Sequence, residues 1–125
     1  MVRVGPYQTP NNEQCLRHMQ AERIFRVALA RVLERHHVTV MEWLLLGVVG
    51  RSEGRRVRMS AAAEALGVTL PQVTALAVHL LENKLVRQKV YGGDKRGRQL
   101  ELTGKGVNVL EDAEESVADA LAVRH

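Results

Sequence analysis

Between residues 70 and 103 the chain changes its hydrophobic period from 3.6 residues to 2, and few small folds accommodate that switch. "PQVTALAVHLLENK" puts Val73, Leu76, Ala77, Leu80 and Leu81 on one helical stripe and leaves Gln72, Thr74, Ala75, Val78 and His79 off it. "LVRQKVY" and "RQLELT" then read as strands joined at Gly92-Gly93. Leu100 and Leu102 alternate there with Gln99 and Glu101, one pair facing in and the other out. A two-stranded ribbon therefore follows a helix directly.

That helix has a shorter one before it. Ser60 is placed to cap "AAAEALG", and Gly67 stops it. Thr69 caps the second helix, with Pro71 in its first turn. Two short helices joined by "GVT" form a helix-turn-helix, and the ribbon makes it winged. The second helix fits the major groove of B-DNA, about 12 Å wide, while a ribbon tip reaches the adjacent minor groove. Arginines at such a tip suit the minor groove, where negative potential is focused. The stretch "YGGDKRGRQL" displays Lys95, Arg96 and Arg98 there, and Asp94 is spaced to hold Arg96 in one direction. The bland alternative is a solvated hairpin tip.

The flanks complete a mainly helical chain. Residues 1–10, with Gly5, Pro6 and Pro10, read as an irregular arm, and Asn11 or Asn12 caps a helix running to about Arg35. Phe25, Ala28, Leu29 and Val32 form one stripe on it, and Ile24 and Val27 a neighbouring one. A band this wide predicts burial on two sides, the second by another subunit. Thr39 and Glu42 form a capping box ahead of "WLLLGVVG", a central helix ended by Gly50. "RSEGRRVR" is a basic loop, with Val57 and Met59 forming a very short strand. Thr103 caps a last helix from 105 to about 123, whose stripe is Val107, Leu110, Ala113, Val117 and Leu121 and whose other face is acidic.

Charge is unevenly placed. Residues 51 to 98 hold ten Lys/Arg against four Asp/Glu, while the rest of the chain holds eight against ten. A basic segment of this kind suits a polyanion as well as a solvated surface. With 3% aromatic residues the core rests on Leu, Val and Ala, which favours helices. No apolar run has the length of a membrane span, there is no secretory leader, and one cysteine forms no disulfide framework. The expectation is a cytoplasmic protein with no membrane partner.

"EWLLLGVV", "MSAAAEALGVTLPQVTALAVHLLENKLVRQ" and "DKRGRQLELTGKG", with the acidic helix after them, resemble the MarR family of winged-helix regulators from about Leu16 to Leu121. Asp94 and Arg96 match that family's Asp-x-Arg wing. The resemblance implies a mainly α (α+β) fold, a winged helix-turn-helix with N- and C-terminal dimerisation helices. In that reading 1–125 is one domain, with 11–37 and 105–125 for dimerisation and 40–103 for DNA. It implies a homodimer that binds double-stranded DNA, usually as a repressor, released by a small anionic or phenolic effector or, in some relatives, by thiol oxidation. No cofactor is implied. The residues so assigned to DNA are Ser60, Thr69, Pro71, Gln72, Thr74, Ala75, His79, Arg87, Lys89, Asp94, Lys95, Arg96 and Arg98. Those assigned to dimerisation are Leu16, Met19, Leu110, Val117 and Leu121. Cys15, beside Arg17 and His18, stands either as a redox thiol or as an interface cysteine. Ala75 stands where the family often has Arg, so Gln72 or His79 would supply the missing contact. Lys84 stands where the family has Gly, so Asn83 would shape that helix end. One long helix replaces the two that many relatives have after the wing.

Other classes find less support. The five histidines show no ligand spacing and Cys15 has no partner motif, so no metal site is read. No catalytic set or phosphate loop is present, and the glycines of "YGGDKRG" lie between strands rather than before a helix. An enzyme would need a deep polar pocket. A winged helix serving protein assembly, docking through the acidic last helix, is the second reading.

Overall fold

The computed structural model describes residues 6–90 and 97–121. In chain order these form α1 (Pro10–Glu34), α2 (Val40–Arg51), a 3-10 turn (Glu53–Arg55), β1 (Arg56–Arg58), α3 (Met59–Leu66), α4 (Leu70–Glu82), β2 (Val86–Val90), β3 (Arg98–Leu102) and α5 (Gly104–Leu121). β3 lies between β1 and β2, antiparallel to both. Its register sets Arg56 and Arg87 opposite Glu101, and Arg58 and Lys89 opposite Gln99. The helical majority and the three-stranded sheet match the expected winged-helix fold.

α2 is central because its sequence is apolar almost all round. It packs against each of the other four helices and against β1 and β3. Leu45, Leu46 and Val49 are fully buried, together with Leu33, Val73, Leu80 and Leu100. Its capping box is present as expected: the Thr39 hydroxyl accepts from Glu42 N at 3.2 Å, and Glu42 Oε1 accepts from Thr39 N at 2.9 Å.

Several boundaries differ from the sequence expectation. α1 starts at Pro10 behind Thr9, with no side-chain cap from Asn11 or Asn12, because proline fills the first helical position without wasting an N–H. α2 runs past Gly50 to Arg51 and is capped by Ser52, whose hydroxyl donates to Val48 O at 2.7 Å. Met59 opens α3 instead of extending β1, so Arg58 is the N-cap and Ser60 lies inside the first turn, capping nothing. The end of α4 is shaped by Lys84, not Asn83. Lys84 itself takes φ +60, Lys84 N donates to Leu81 O at 3.1 Å, and Leu85 N donates to Leu80 O at 2.9 Å. That pair of bonds is a Schellman ending, in which the reversing residue must be left-handed.

The last helix is locked to this same corner. Thr103 Oγ1 accepts from Gly106 N at 3.0 Å and lies 2.7 Å from Lys84 O, while Lys105 Nζ donates to Asn83 O at 3.0 Å. A Cβ on Gly106 would come within 2.1 Å of Leu85 O, so α5 approaches the β2 backbone as only glycine permits.

α1 is the exception to good burial. Only Leu29, Val32 and Leu33 of its 25 residues are buried. Leu16, Met19, Ile24, Phe25 and Val27 are all exposed, Ile24 by 71%.

Candidate nucleic-acid interface

α3 and α4 turn through 108°, within the range of helix-turn-helix units. Gly67 makes this possible: at φ +70 it ends α3 in a left-handed cap, and Val68 N donates to Ala63 O at 3.0 Å. α4 then buries Val73, Ala77 and Leu80 and half-buries Leu76 and Leu81. Its opposite face is free of the protein core. Gln72, Thr74, Ala75, Val78 and His79, the set that periodicity placed off the stripe, are all exposed, as is Pro71.

Two of those side chains are already engaged within the helix. Thr69 N donates to Gln72 Oε1 at 2.8 Å, and the Thr69 hydroxyl donates to the same oxygen at 3.2 Å while accepting from Gln72 N at 3.3 Å. This is a capping box, legible in the spacing Thr-x-x-Gln, a signal the sequence reading left unused. Thr69 is therefore a cap with both hydroxyl roles occupied, which leaves no proton for a phosphate. Thr74 Oγ1 donates to Leu70 O at 3.0 Å. His79 Nδ1 stands 4.0 Å from Glu42 Oε2, linking the exposed face of α4 to the start of α2.

The ribbon leaves the body beside α4. Val86 is buried and Val90 at the far end of β2 is 56% exposed, so pairing with β3 continues beyond the core. On its outer face Glu101 lies 3.6 Å from Arg87 Nε and 3.4 Å from Lys89 Nζ. Two cations share one carboxylate, which orients both and leaves one positive charge. Arg98 is exposed opposite Val90. Asp94, Lys95 and Arg96, which sequence assigned to the wing tip, lie outside the described residues. Arg58 and Ser60 are exposed before and within the first turn of α3.

The remaining assignments divide. Leu16 and Met19, assigned to dimerisation, are exposed on α1. Leu110 and Leu121 are half-buried. Val117 differs from expectation: it is 6% exposed and packs within the chain's own core, because α5 turns that side toward α1. Cys15 is a free, exposed thiol. His36 Nε2 and Ser116 Oγ, 2.8 Å apart, tie the end of α1 to α5. Among the described residues, no three His, Cys, Asp or Glu side chains converge.

A separate hollow of about 300 Å³ lies among Phe25 and Leu29 of α1, Trp43 and Leu44 of α2, and Glu114, Val117 and Ala118 of α5. The Nε1 atom of Trp43 is itself buried and has no hydrogen-bond partner.

A MarR family model matches residues 36–97. No curated protein matches the chain. Among solved structures it is similar to Sco3205, a MarR family transcriptional regulator from Streptomyces coelicolor in complex with DNA. The identity is 25% and the TM-score 0.77, over 98% of this chain and 81% of that one. It is similar at 28% identity to the M. tuberculosis transcriptional regulator MOSR in complex with DNA, with TM-score 0.72 over 86% and 77% of the two chains. It shares the fold of AbsC, a MarR family regulator from Streptomyces coelicolor, at 23% identity and TM-score 0.80 over 94% and 83%.

Proposed function

From a chain that is a MarR-family winged helix-turn-helix protein, we propose that it binds duplex DNA as a homodimer and represses transcription by occupying promoter sites. The observation that carries this is the exposed polar face of α4, held at 108° to α3 beside a projecting basic ribbon. α4 enters the major groove. The wing, with Lys95, Arg96 and Arg98, enters the minor groove. Arg87 and Lys89 meet phosphate, and two subunits take half-sites about one helical turn apart. Two similar regulators were solved in complex with DNA, which supports DNA as the partner. A small anionic or phenolic effector suits the hollow beside Trp43, whose lining is mostly apolar: Phe25, Leu29, Leu44, Val117 and Ala118.

Mobility-shift titration against genomic fragments at two salt concentrations tests the reading. Affinity should fall steeply with salt, since phosphate contacts release counterions. Arg96→Ala should weaken binding to all sequences and lower the salt slope by about 1. A folded dimer that shifts no fragment would instead favour the protein-assembly reading. Equal affinity of Arg96→Ala and wild type for a bound fragment would remove the wing assignment. Effector binding is read by quenching of the single tryptophan when a phenolic carboxylate is added.

A further inference from the structure

We infer that hydrogen bonds inside the first turns of α4 fix the polarity with which it reads bases: Gln72 acts as a donor only, and Thr74 as an acceptor only. The inference rests on the DNA reading above and specifies its chemistry.

The orientation of the Gln72 amide follows from its neighbour. A backbone N–H must donate, so the Gln72 side-chain atom 2.8 Å from Thr69 N is the carbonyl oxygen. The Thr69 hydroxyl approaches that same oxygen. Two donors thus converge on Oε1, while Nε2, with two protons, has no partner among the described residues and sits on an exposed side chain. Glutamine's familiar bidentate pairing with adenine needs both the oxygen and the nitrogen. Here, freeing the oxygen would strip Thr69 N of its acceptor just as an interface excludes water, when an unpaired donor costs most. Nε2 alone matches an acceptor at the groove edge: N7 of either purine, guanine O6 or thymine O4, of which only O6 and O4 single out a base pair.

Thr74 carries the opposite sign by the same logic. A carbonyl only accepts, so the bond to Leu70 O consumes the single hydroxyl proton of Thr74. What remains is a pair of acceptor lone pairs and a methyl group, suited to a base that donates from an exocyclic amine. Ala75 adds a methyl group with no hydrogen-bonding role. The reading face thus presents donor, then acceptor, then apolar.

The test compares full-length wild type with Gln72→Glu and Gln72→Ala in selection from a randomised duplex pool. Glutamate keeps the capping box, since its carboxylate accepts from Thr69 N as the amide oxygen does, but it replaces the donor with an acceptor. Thermal unfolding should therefore be nearly unchanged in Gln72→Glu. At one base pair of each half-site, its preferred pair should be the inversion of the wild type's, C·G for G·C or A·T for T·A. Discrimination at that pair should be at least about fivefold in wild type and lost in Gln72→Ala. A Gln72→Glu protein that keeps the wild-type pair overturns the inference, since bidentate reading of adenine leaves an amine that glutamate still accepts from. Unchanged preference in Gln72→Ala also overturns it, because the side chain then reads nothing. Wild type that enriches no sequence at all removes the DNA reading, an outcome distinct from both.

Discussion

Lys84 holds a left-handed backbone, φ +60, at the corner where α4 gives way to β2. A side chain there crowds its own carbonyl, which glycine avoids. Lys84→Gly should raise stability by about 0.5–1 kcal/mol, the relief of strain less the extra freedom of the unfolded chain. Urea denaturation checks this, with a higher midpoint at constant m. Gly106, across the same corner, predicts the reverse. Its missing Cβ leaves room for Leu85 O at 2.1 Å from where that atom would stand, and a backbone carbonyl held by Thr103 N at 3.1 Å cannot move aside as a flexible side chain can. Gly106→Ala should cost roughly 2–4 kcal/mol and loosen the ribbon's attachment. A midpoint equal to wild type would show that α5 does not need so close an approach. Of the two positions, sequence singled out only Lys84. It marked Lys84 as an unusual residue for a helix end but looked to Asn83 for the turn, since nothing local says which of two adjacent residues takes the positive φ.

At the scale of elements, two capping boxes start the two helices that matter most. The box at α2 is half-buried, and Glu42 is 8% exposed. Thr39→Ala should lower stability by about 1 kcal/mol, readable by thermal or urea unfolding. The ribbon is an element of a different kind, secured at one end by Val86 and Leu100 and released at the other. Its outer face is moderated by Glu101, held between Arg87 and Lys89. If that face meets phosphate, Glu101 is a cost to binding that orients two cations. Glu101→Gln should then tighten DNA binding and steepen the salt slope by about 1. No change in slope would place Arg87 and Lys89 away from the duplex. The helices, their order and the ribbon were legible because each carries its own period and punctuation. Their ends were less so: Pro10, Arg51 and Met59 shift boundaries by one or two residues, where neighbouring residues are about equally able to begin or end a helix.

For the whole molecule, the question is what covers α1. Leu16, Met19, Ile24, Phe25 and Val27 expose apolar surface along one helix, while α5 covers only its C-terminal part. Apolar surface gathered in this way calls for a partner, and a second copy is the proposed one. Met19→Glu with Ile24→Glu should convert a dimer to a monomer by sedimentation and cost most of the DNA affinity, because one subunit reaches one half-site. A double variant that stays dimeric would move the interface elsewhere. Val117 shows why face assignment is hardest at this scale: its stripe was correctly apolar, yet a stripe can serve the protomer's own core or a partner's.

The sequence by itself determined the elements, their order, the α4 side chains left outside the core and the basic segment around the wing, because period, capping residues and charge are local properties. Only the tertiary structure decided what each exposed group is free to do. Gln72 and Thr74 look like open hydrogen-bonding side chains in sequence, but folding into one helical turn commits the oxygen of the first and the proton of the second. Trp43 is orphaned, Val117 consumed and Glu101 shared by two cations for the same reason. Hydrogen bonds and packing are allotted between neighbours in space, and that allotment is absent until the chain has folded.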